Sequence, residues 1–225
     1  MNGLFVTGTD TGAGKTLASA ALLHAFRAQG LRAIGMKPLA SGCQSTALGW
    51  RNEDADALSA ASWPTPRYED LNPDALPLPL APEIAARRAG VLVRLDIISA
   101  AFQRLQAQSD VVVVEGVGGW AAPQTSSLDQ CDLVDALRLP VVMVVGMRLG
   151  CINHARLTAR AIAAEGARLV GWIGSHVDPD MQCQDENFDI LCERLPVPCW
   201  GRLRHSAQPD AESMAASLRI PLRGQ

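Results

Sequence analysis

Two rhythms of apolar and polar positions alternate along this chain. Leu4 to Gly8 is a short apolar run and predicts a buried strand. After a Gly/Thr stretch, Ala18, Ala21, Leu22, Ala25 and Phe26 recur at helical spacing, predicting a helix over 15–29 that Gly30 stops. Arg32 to Met36 predicts the next strand. The run Asp110-Val111-Val112-Val113-Val114-Glu115 has no polar alternation, as a parallel strand covered on both faces requires. Similar runs predict strands over 140–146 and 168–174, with a helix over 153–165 between them. A helix is expected over 97–108 and a last short strand within 191–201. Strand, helix and strand in succession predict an α/β fold: a mostly parallel sheet with helices on both faces.

The pattern fails in two places. Residues 38–53 read as loop, followed by a weak helix over 54–61. Pro64, Pro66, Pro73, Pro77, Pro79 and Pro82 crowd residues 63–82 and exclude long regular structure there. Because the α/β pattern resumes afterwards, this stretch reads as an excursion over one face rather than a linker. The expectation is one domain over 1–225, with no internal repeat. The chain of 225 residues is long enough to bury a core without staples.

Candidate chemistry begins where the first strand ends. Gly8-Thr9-Asp10-Thr11-Gly12-Ala13-Gly14-Lys15-Thr16 lies between a predicted strand and a predicted helix, the context a P-loop needs. Backbone N–H groups of Gly12, Ala13 and Gly14 can face phosphate at the positive end of the helix. Lys15 reaches the β- and γ-phosphates of ATP, and the Thr16 hydroxyl ligates Mg²⁺. Gly8 falls one residue early, with Thr9 where the usual first glycine stands. Glu115 closes a strand and can hold the same Mg²⁺, since ligands of open α/β sheets bind beyond the strands' carboxyl ends. Gly116 and Gly118 follow it and serve either close approach to a nucleotide or a turn. Lys37, after the second strand, reaches the same edge and can stabilise transferred charge. Glu53, Asp54 and Asp56 form an acidic cluster that offers one more metal ligand or merely favours a helix start. Gly150-Cys151-Ile152-Asn153 precedes a helix, with Asn153 either its N-cap or part of an anion site.

Composition sharpens this in one respect. Of 20 basic residues only Lys15 and Lys37 are lysines, and both fall beside phosphate-type motifs. A compact ammonium is wanted there rather than a planar fork. A net charge of −3 gives no nucleic-acid footprint and no attraction to anionic membrane. The N-terminus lacks a basic, apolar leader, so a cytoplasmic protein is expected. The six cysteines have neither CxxC nor zinc-finger spacing and are expected to be free thiols in or near the core.

Taken in order, Gly8–Thr16, Lys37–Gly42, Arg51–Ala55, Val114–Trp120, Val144–His154 and Gly171–Trp172 resemble the dethiobiotin synthetases of biotin biosynthesis. The resemblance implies an ATP-dependent cyclo-ligase. It would close a cyclic urea on 7,8-diaminononanoate with CO₂, through a carbamate and a carbamic–phosphoric anhydride. It implies phosphate and carbamate contacts for Lys15 and Lys37, and Mg²⁺ ligation by Thr16, Asp54 and Glu115. Thr11 and Ser41 would bind substrate. Backbone from Gly150 through Cys151 to Asn153, from the second subunit of a homodimer, would hold the substrate carboxylate. Ser175 stands where the family carries an Asn that pairs with adenine, and His176 where Asp is common. Gly12, Glu83 and Asn187 stand where Glu, His and Tyr are common. A rival reading, a P-loop partitioning or regulatory ATPase, usually requires a second Lys early in the loop, where this chain has Thr9-Asp10-Thr11.

Overall fold

A computed structural model describes residues 2–221. The elements are β1 (Gly3–Gly8), α1 (Lys15–Ala28), β2 (Ala33–Met36), β3 (Leu39–Ser41), β4 (Gln44–Thr46), β5 (Gly49–Arg51), α2 (Glu53–Ala61), α3 (Tyr68–Leu71), β6 (Asp74–Leu76), α4 (Pro82–Ala89) and α5 (Leu95–Gln106). There follow β7 (Val111–Glu115), α6 (Gln130–Leu137), β8 (Val141–Gly146), α7 (Cys151–Ala164), β9 (Leu169–Ser175), α8 (Gln184–Arg194), β10 (Cys199–Leu203) and α9 (Ala211–Ala215).

Six strands form one parallel sheet in the order β10-β9-β8-β1-β7-β2. Every residue of β1, β7 and β8 is buried, which accounts for their unbroken apolar runs. Successive β1 side chains pack on opposite faces. Leu4 and Val6 join the α1 and α2 side of the core with Ala21, Leu22 and Leu58. Phe5 joins the α5 and α6 side with Ile98, Phe102 and Leu133. Each such side chain, fully enclosed, contributes about 1.5–3 kcal/mol relative to exposure. The loops after β1, β2, β7 and β8 therefore leave the same edge of a rigid sheet, where side chains from distant parts of the chain can meet.

Several expectations are corrected. Residues 38–53 are not all loop: β3 pairs in parallel with β6, and β4–β5 is an exposed antiparallel hairpin. The stretch 191–201 does hold the start of the last strand, β10 from Cys199, but its first residues belong to α8, which runs to Arg194. Helix α8 buries only Leu191, so it carries no apolar stripe to betray it. Helix α7 starts two residues early. Its N-cap is Gly150 in the left-handed region (φ 96°), and Asn153 lies inside the first turn instead of capping it. All six cysteines are free, but Cys183 and Cys192 are exposed, since α8 and its approach lie at the surface.

Candidate active site

The P-loop is held at both ends by its own sheet. Thr9 N donates to the Val144 carbonyl at 3.0 Å. Thr9 Oγ1 accepts from Gly146 N at 3.3 Å, a bond the usual glycine at this position would lack. Gly14 adopts φ 85° as the N-cap of α1, a conformation that costs other residues dearly. A Cβ on Gly14 would also lie 2.2 Å from Ser175 Oγ, so glycine is required on two counts. Gly12 likewise has φ 73° and faces open space. Ala13 is fully buried, while Thr11 is exposed.

Beside the loop, five predicted side chains converge. The Lys37 ammonium lies 2.6 Å from Glu115 Oε1 and 2.9 Å from Asp54 Oδ2. It also donates to the Gly116 carbonyl at 3.1 Å. Thr16 Oγ1 lies 2.7 Å from Asp54 Oδ1 and 3.0 Å from Glu115 Oε1. Lys15 Nζ donates to the Asp10 carbonyl at 3.1 Å. Lys37 is 2% exposed and Glu115 0%, a burial that ionised groups tolerate only when paired.

Electrostatics separates the two lysines. Burial, and then the neighbouring Lys37 charge, bring the Lys15 pKa down to about 8. Burial also opposes charge on Lys37, but Glu115 and Asp54 outweigh it and raise that pKa. Asp54 is held below the usual carboxylate range: burial pushes upward and the Lys37 charge prevails. Lys37 is thus fixed as a cation, and Lys15 is a cation awaiting an anionic partner.

The structure also chooses among the acidic residues. Asn52 caps α2 by accepting from Asp54 N at 3.1 Å and Ala55 N at 3.3 Å. That start turns Asp54 toward Thr16 and Lys37 and leaves Glu53 and Asp56 exposed. A divalent cation suits this donor set, which is all oxygen. Glu115 Oε2 is buried with no partner among the described residues, so the cluster retains one open acceptor.

Other candidates are placed differently. Gly116 is occupied by protein: its N donates to Val6 O, its O accepts from Lys37, and a Cβ there would meet Gln130 Oε1 at 2.1 Å. Its glycine is therefore explained by packing. Gly118 has φ 67° and makes a turn facing Thr11. The Ser41 hydroxyl is buried and has no partner among the described residues. The Cys151 side chain is buried in the core beside Met143 and Met147, and its backbone N donates to the Arg148 carbonyl at 3.0 Å. Asn153 is exposed. Ser175 is buried beneath the P-loop.

Four contributors escaped the sequence reading. Asn72 Nδ2 holds the Lys37 carbonyl at 2.7 Å. Gln130, 1% exposed, accepts from Val117 N at 3.2 Å and donates to the Gly119 and Trp120 carbonyls. Asp10 and Arg148 form an ion pair at 2.6 Å across the P-loop. None has a local pattern to announce it, although Asp10 and Arg148 lie inside motifs already singled out.

A parallel sheet, a P-loop between β1 and α1, and a paired lysine–carboxylate cluster at the strand ends define a P-loop nucleotide-binding protein. Residues 2–213 match the family model of the AAA domain. The chain is 61% identical over 217 residues to the ATP-dependent dethiobiotin synthetase BioD of Xanthomonas oryzae pv. oryzae, covering 96% of this chain and 97% of that one. It is 59% identical over 205 residues to the protein of that name from Xylella fastidiosa, covering 91% of each. The chain belongs to the ATP-dependent dethiobiotin synthetase family. Among solved structures, the signal recognition particle receptor FtsY from Elizabethkingia anophelis is similar with a TM-score of 0.56 at 14% identity, over 96% of this chain and 64% of that one. Cell division protein FtsY from Thermotoga maritima gives 0.51 at 16%, over 97% and 68%. These two likenesses show the fold alone.

Proposed function

We propose that this chain closes a cyclic urea on 7,8-diaminononanoate, consuming CO₂ and ATP and yielding dethiobiotin, ADP and phosphate. The observation that carries the reading is the cluster of Lys37, Thr16, Asp54 and Glu115 packed against the P-loop. It sits within a chain 61% identical to a dethiobiotin synthetase.

One amine of the substrate takes up CO₂ as a carbamate and releases a proton. The carbamate oxygen attacks the γ-phosphorus of ATP and ADP leaves. The second amine then attacks the carbonyl carbon of the resulting anhydride, phosphate departs and the ring closes. The carbamate is itself the nucleophile, so no Ser–His pair or activated Cys is needed. The protein's task is positioning and charge stabilisation. Lys15, moving off the Asp10 carbonyl, would meet the β- and γ-phosphates. Lys37, cationic and rigidly held, would face the carbamate and the transferring phosphoryl oxygens. Thr16, Asp54 and Glu115 would hold Mg²⁺, which when bound neutralises charge on the phosphates. Thr11 and Ser41 would position the diamine. The backbone from Gly150 to Asn153 would take the substrate carboxylate at the positive end of α7.

We further infer a homodimer working in the cytoplasm, with the α7 start of one subunit completing the site of the other. Leu149, 90% exposed immediately before Gly150, supports such a contact. Incubation with ATP, Mg²⁺, bicarbonate and 7,8-diaminononanoate should give phosphate and dethiobiotin in equal amounts by mass spectrometry, from a dimer by sedimentation. ATP hydrolysis indifferent to the diamine, with no dethiobiotin, overturns the reading.

A further inference from the structure

The end of β8 and Arg148 beyond it are bonded to the P-loop. Thr9 takes the Gly146 amide at 3.3 Å and gives its own amide to Val144 at 3.0 Å. A Cβ on Gly146 would lie 3.0 Å from the Ala13 Cα, so the two backbones touch there. Beyond this point Arg148 reaches back. Its Nη2 lies 2.6 Å from Asp10 Oδ2 and 3.5 Å from the Thr11 carbonyl. The other oxygen of the same carboxylate, Asp10 Oδ1, accepts from Thr11 N at 2.7 Å. The carbonyl of that residue accepts from Lys15 Nζ at 3.1 Å. Arg148, Asp10 and Lys15 are therefore joined in sequence, with Asp10 using its carboxylate and its carbonyl to link the two cations.

We propose that Arg148 is a positioning residue for the phosphate loop, fixing Asp10 and thereby the carbonyl that holds Lys15, so that the start of α7 and the P-loop move as one unit. The inference rests on reading residues 8–16 as the phosphate site and goes beyond the roles proposed above, which give Arg148 none and the Asp10 carboxylate none. Three features favour it over a decorative surface ion pair. The Arg148 and Asp10 side chains are 33% and 51% exposed, so the pair stabilises the fold little. Its contacts instead fall on a loop whose backbone must be preset before phosphate arrives, and preorganisation of this kind shows in affinity. Arg148 also lies two residues before Gly150, so whatever docks at the start of α7 is mechanically close to Lys15.

The experiment is a double-mutant cycle read in nucleotide affinity. ADP and a non-hydrolysable ATP analogue, each with Mg²⁺, are titrated calorimetrically without diamine. The proteins are the parent, Arg148→Gln, Asp10→Asn and the double variant. Asp10→Asn keeps an oxygen for the Thr11 amide and removes only the charge. Each single variant should weaken binding about tenfold, within the usual size of inter-site coupling. The double should be no weaker than the worse single, because both changes break one linkage. Arg148→Lys should recover most of the loss, since an ammonium can still pair with Asp10. In turnover, KM for ATP should rise more than kcat falls. Single variants within twofold of the parent, a double equal to the product of the singles, or no recovery with Lys would each overturn the proposal. Melting temperatures within a few degrees of the parent support the affinity effect as local, and a collapse of the fold in Arg148→Gln overturns it. The binding readout needs no turnover, so failure of the proposed synthetase activity leaves this test intact.

Discussion

At the β1–β7–β2 end of the sheet edge, polar groups are gathered without being used up. Among the described residues Lys15 donates to a backbone carbonyl alone, and Glu115 Oε2 and Ser41 Oγ are buried with no partner. At the β9–β10 end the side chains of His176, Arg202, Gln184 and Asp185 bond to one another, although Arg202 Nη2 is buried with no partner among the described residues. His176 Nε2 accepts from Arg202 Nε at 2.6 Å, leaving the ring proton on Nδ1 to donate to Gln184 Oε1 at 2.7 Å. Burial, and then the Arg202 charge, depress the His176 pKa and keep the ring neutral. Arg202 also pairs with Asp185 at 2.5 Å and lies over the Phe188 ring at 4.8 Å. Ser175 is pressed beneath Gly14. Buried polar groups are costly unless satisfied, so open valences are kept where a ligand will satisfy them. By that criterion the first end is the one prepared for a charged ligand. The second offers a nucleotide little beyond shape.

Breaking the first end should have the largest effect. Lys37→Arg keeps the charge but puts a wide planar group where a compact ammonium is held by Glu115 at 2.6 Å, Asp54 at 2.9 Å and the Gly116 carbonyl at 3.1 Å. Turnover should fall by at least about 100-fold, the usual size of a lost transition-state charge contact. Lys37→Gln is smaller but leaves the buried Glu115 carboxylate without its cation, so it should lose stability as well as falling as far in turnover. Turnover near the parent value in either variant would show that the scarcity of lysine at this position has no chemical cause.

The second end predicts an effect of opposite character, a weakness already present. An Asn amide can both donate to N7 and accept from N6–H₂ of adenine, and a bidentate match of this sort is worth about 1–3 kcal/mol of discrimination. Ser175 has only a rotatable hydroxyl, and His176 is committed to Arg202 and Gln184. CTP and GTP should therefore support turnover within about tenfold of ATP in kcat/KM. Competition kinetics decides this, and a preference for ATP above about a hundredfold would place base recognition elsewhere.

The contrast between the two ends also tracks what the sequence discloses. The parallel strands were legible because burial on both faces leaves continuous apolar runs such as 111–114. The P-loop, Lys37 and Glu115 were legible because each lies at the end of such a strand, where topology fixes its position. Asp54 could not be separated from Glu53 and Asp56 until the Asn52 cap set the rotation of α2. The capping alternative for Asn153 failed because α7 is started by a left-handed glycine, a backbone choice that competes unseen with a capping side chain. Arg148–Asp10, Gln130 and Asn72 act across 138, 11 and 35 residues of sequence, and no spacing rule spans such gaps.

The smallest predicted effect tests whether an open valence outside the proposed chemistry behaves as a cost. Asp74 Oδ2, on β6, is buried without a partner among the described residues, as Glu115 Oε2 is. Glu115 has Lys37 and Thr16 on its other oxygen, whereas no cation offsets the burial of Asp74, and its pKa is pushed up to about 6. The sign follows from linkage. Between the usual 3.8 and about 6 the folded chain binds this proton more tightly than the unfolded chain, so stability falls as pH rises through that window. Above it the loss is constant. A fully enclosed carboxyl shifted this far would cost about 3 kcal/mol. Asp74 is only partly buried, and solvent screening brings the figure to about 1 kcal/mol. Asp74→Asn replaces the charge with a neutral amide, which is cheaper to dehydrate. It should raise the melting temperature at pH 7.5 by about 2–4 °C, as expected for 1 kcal/mol in a chain of this size. At pH 5, where the carboxyl is largely protonated in the folded state, the gain should shrink to about half. Differential scanning calorimetry at the two pH values separates the cases. A gain that is the same at both, or no gain at pH 7.5, would mean that the Asp74 oxygen is answered in solution and that an unpartnered buried oxygen is not by itself a cost in this protein.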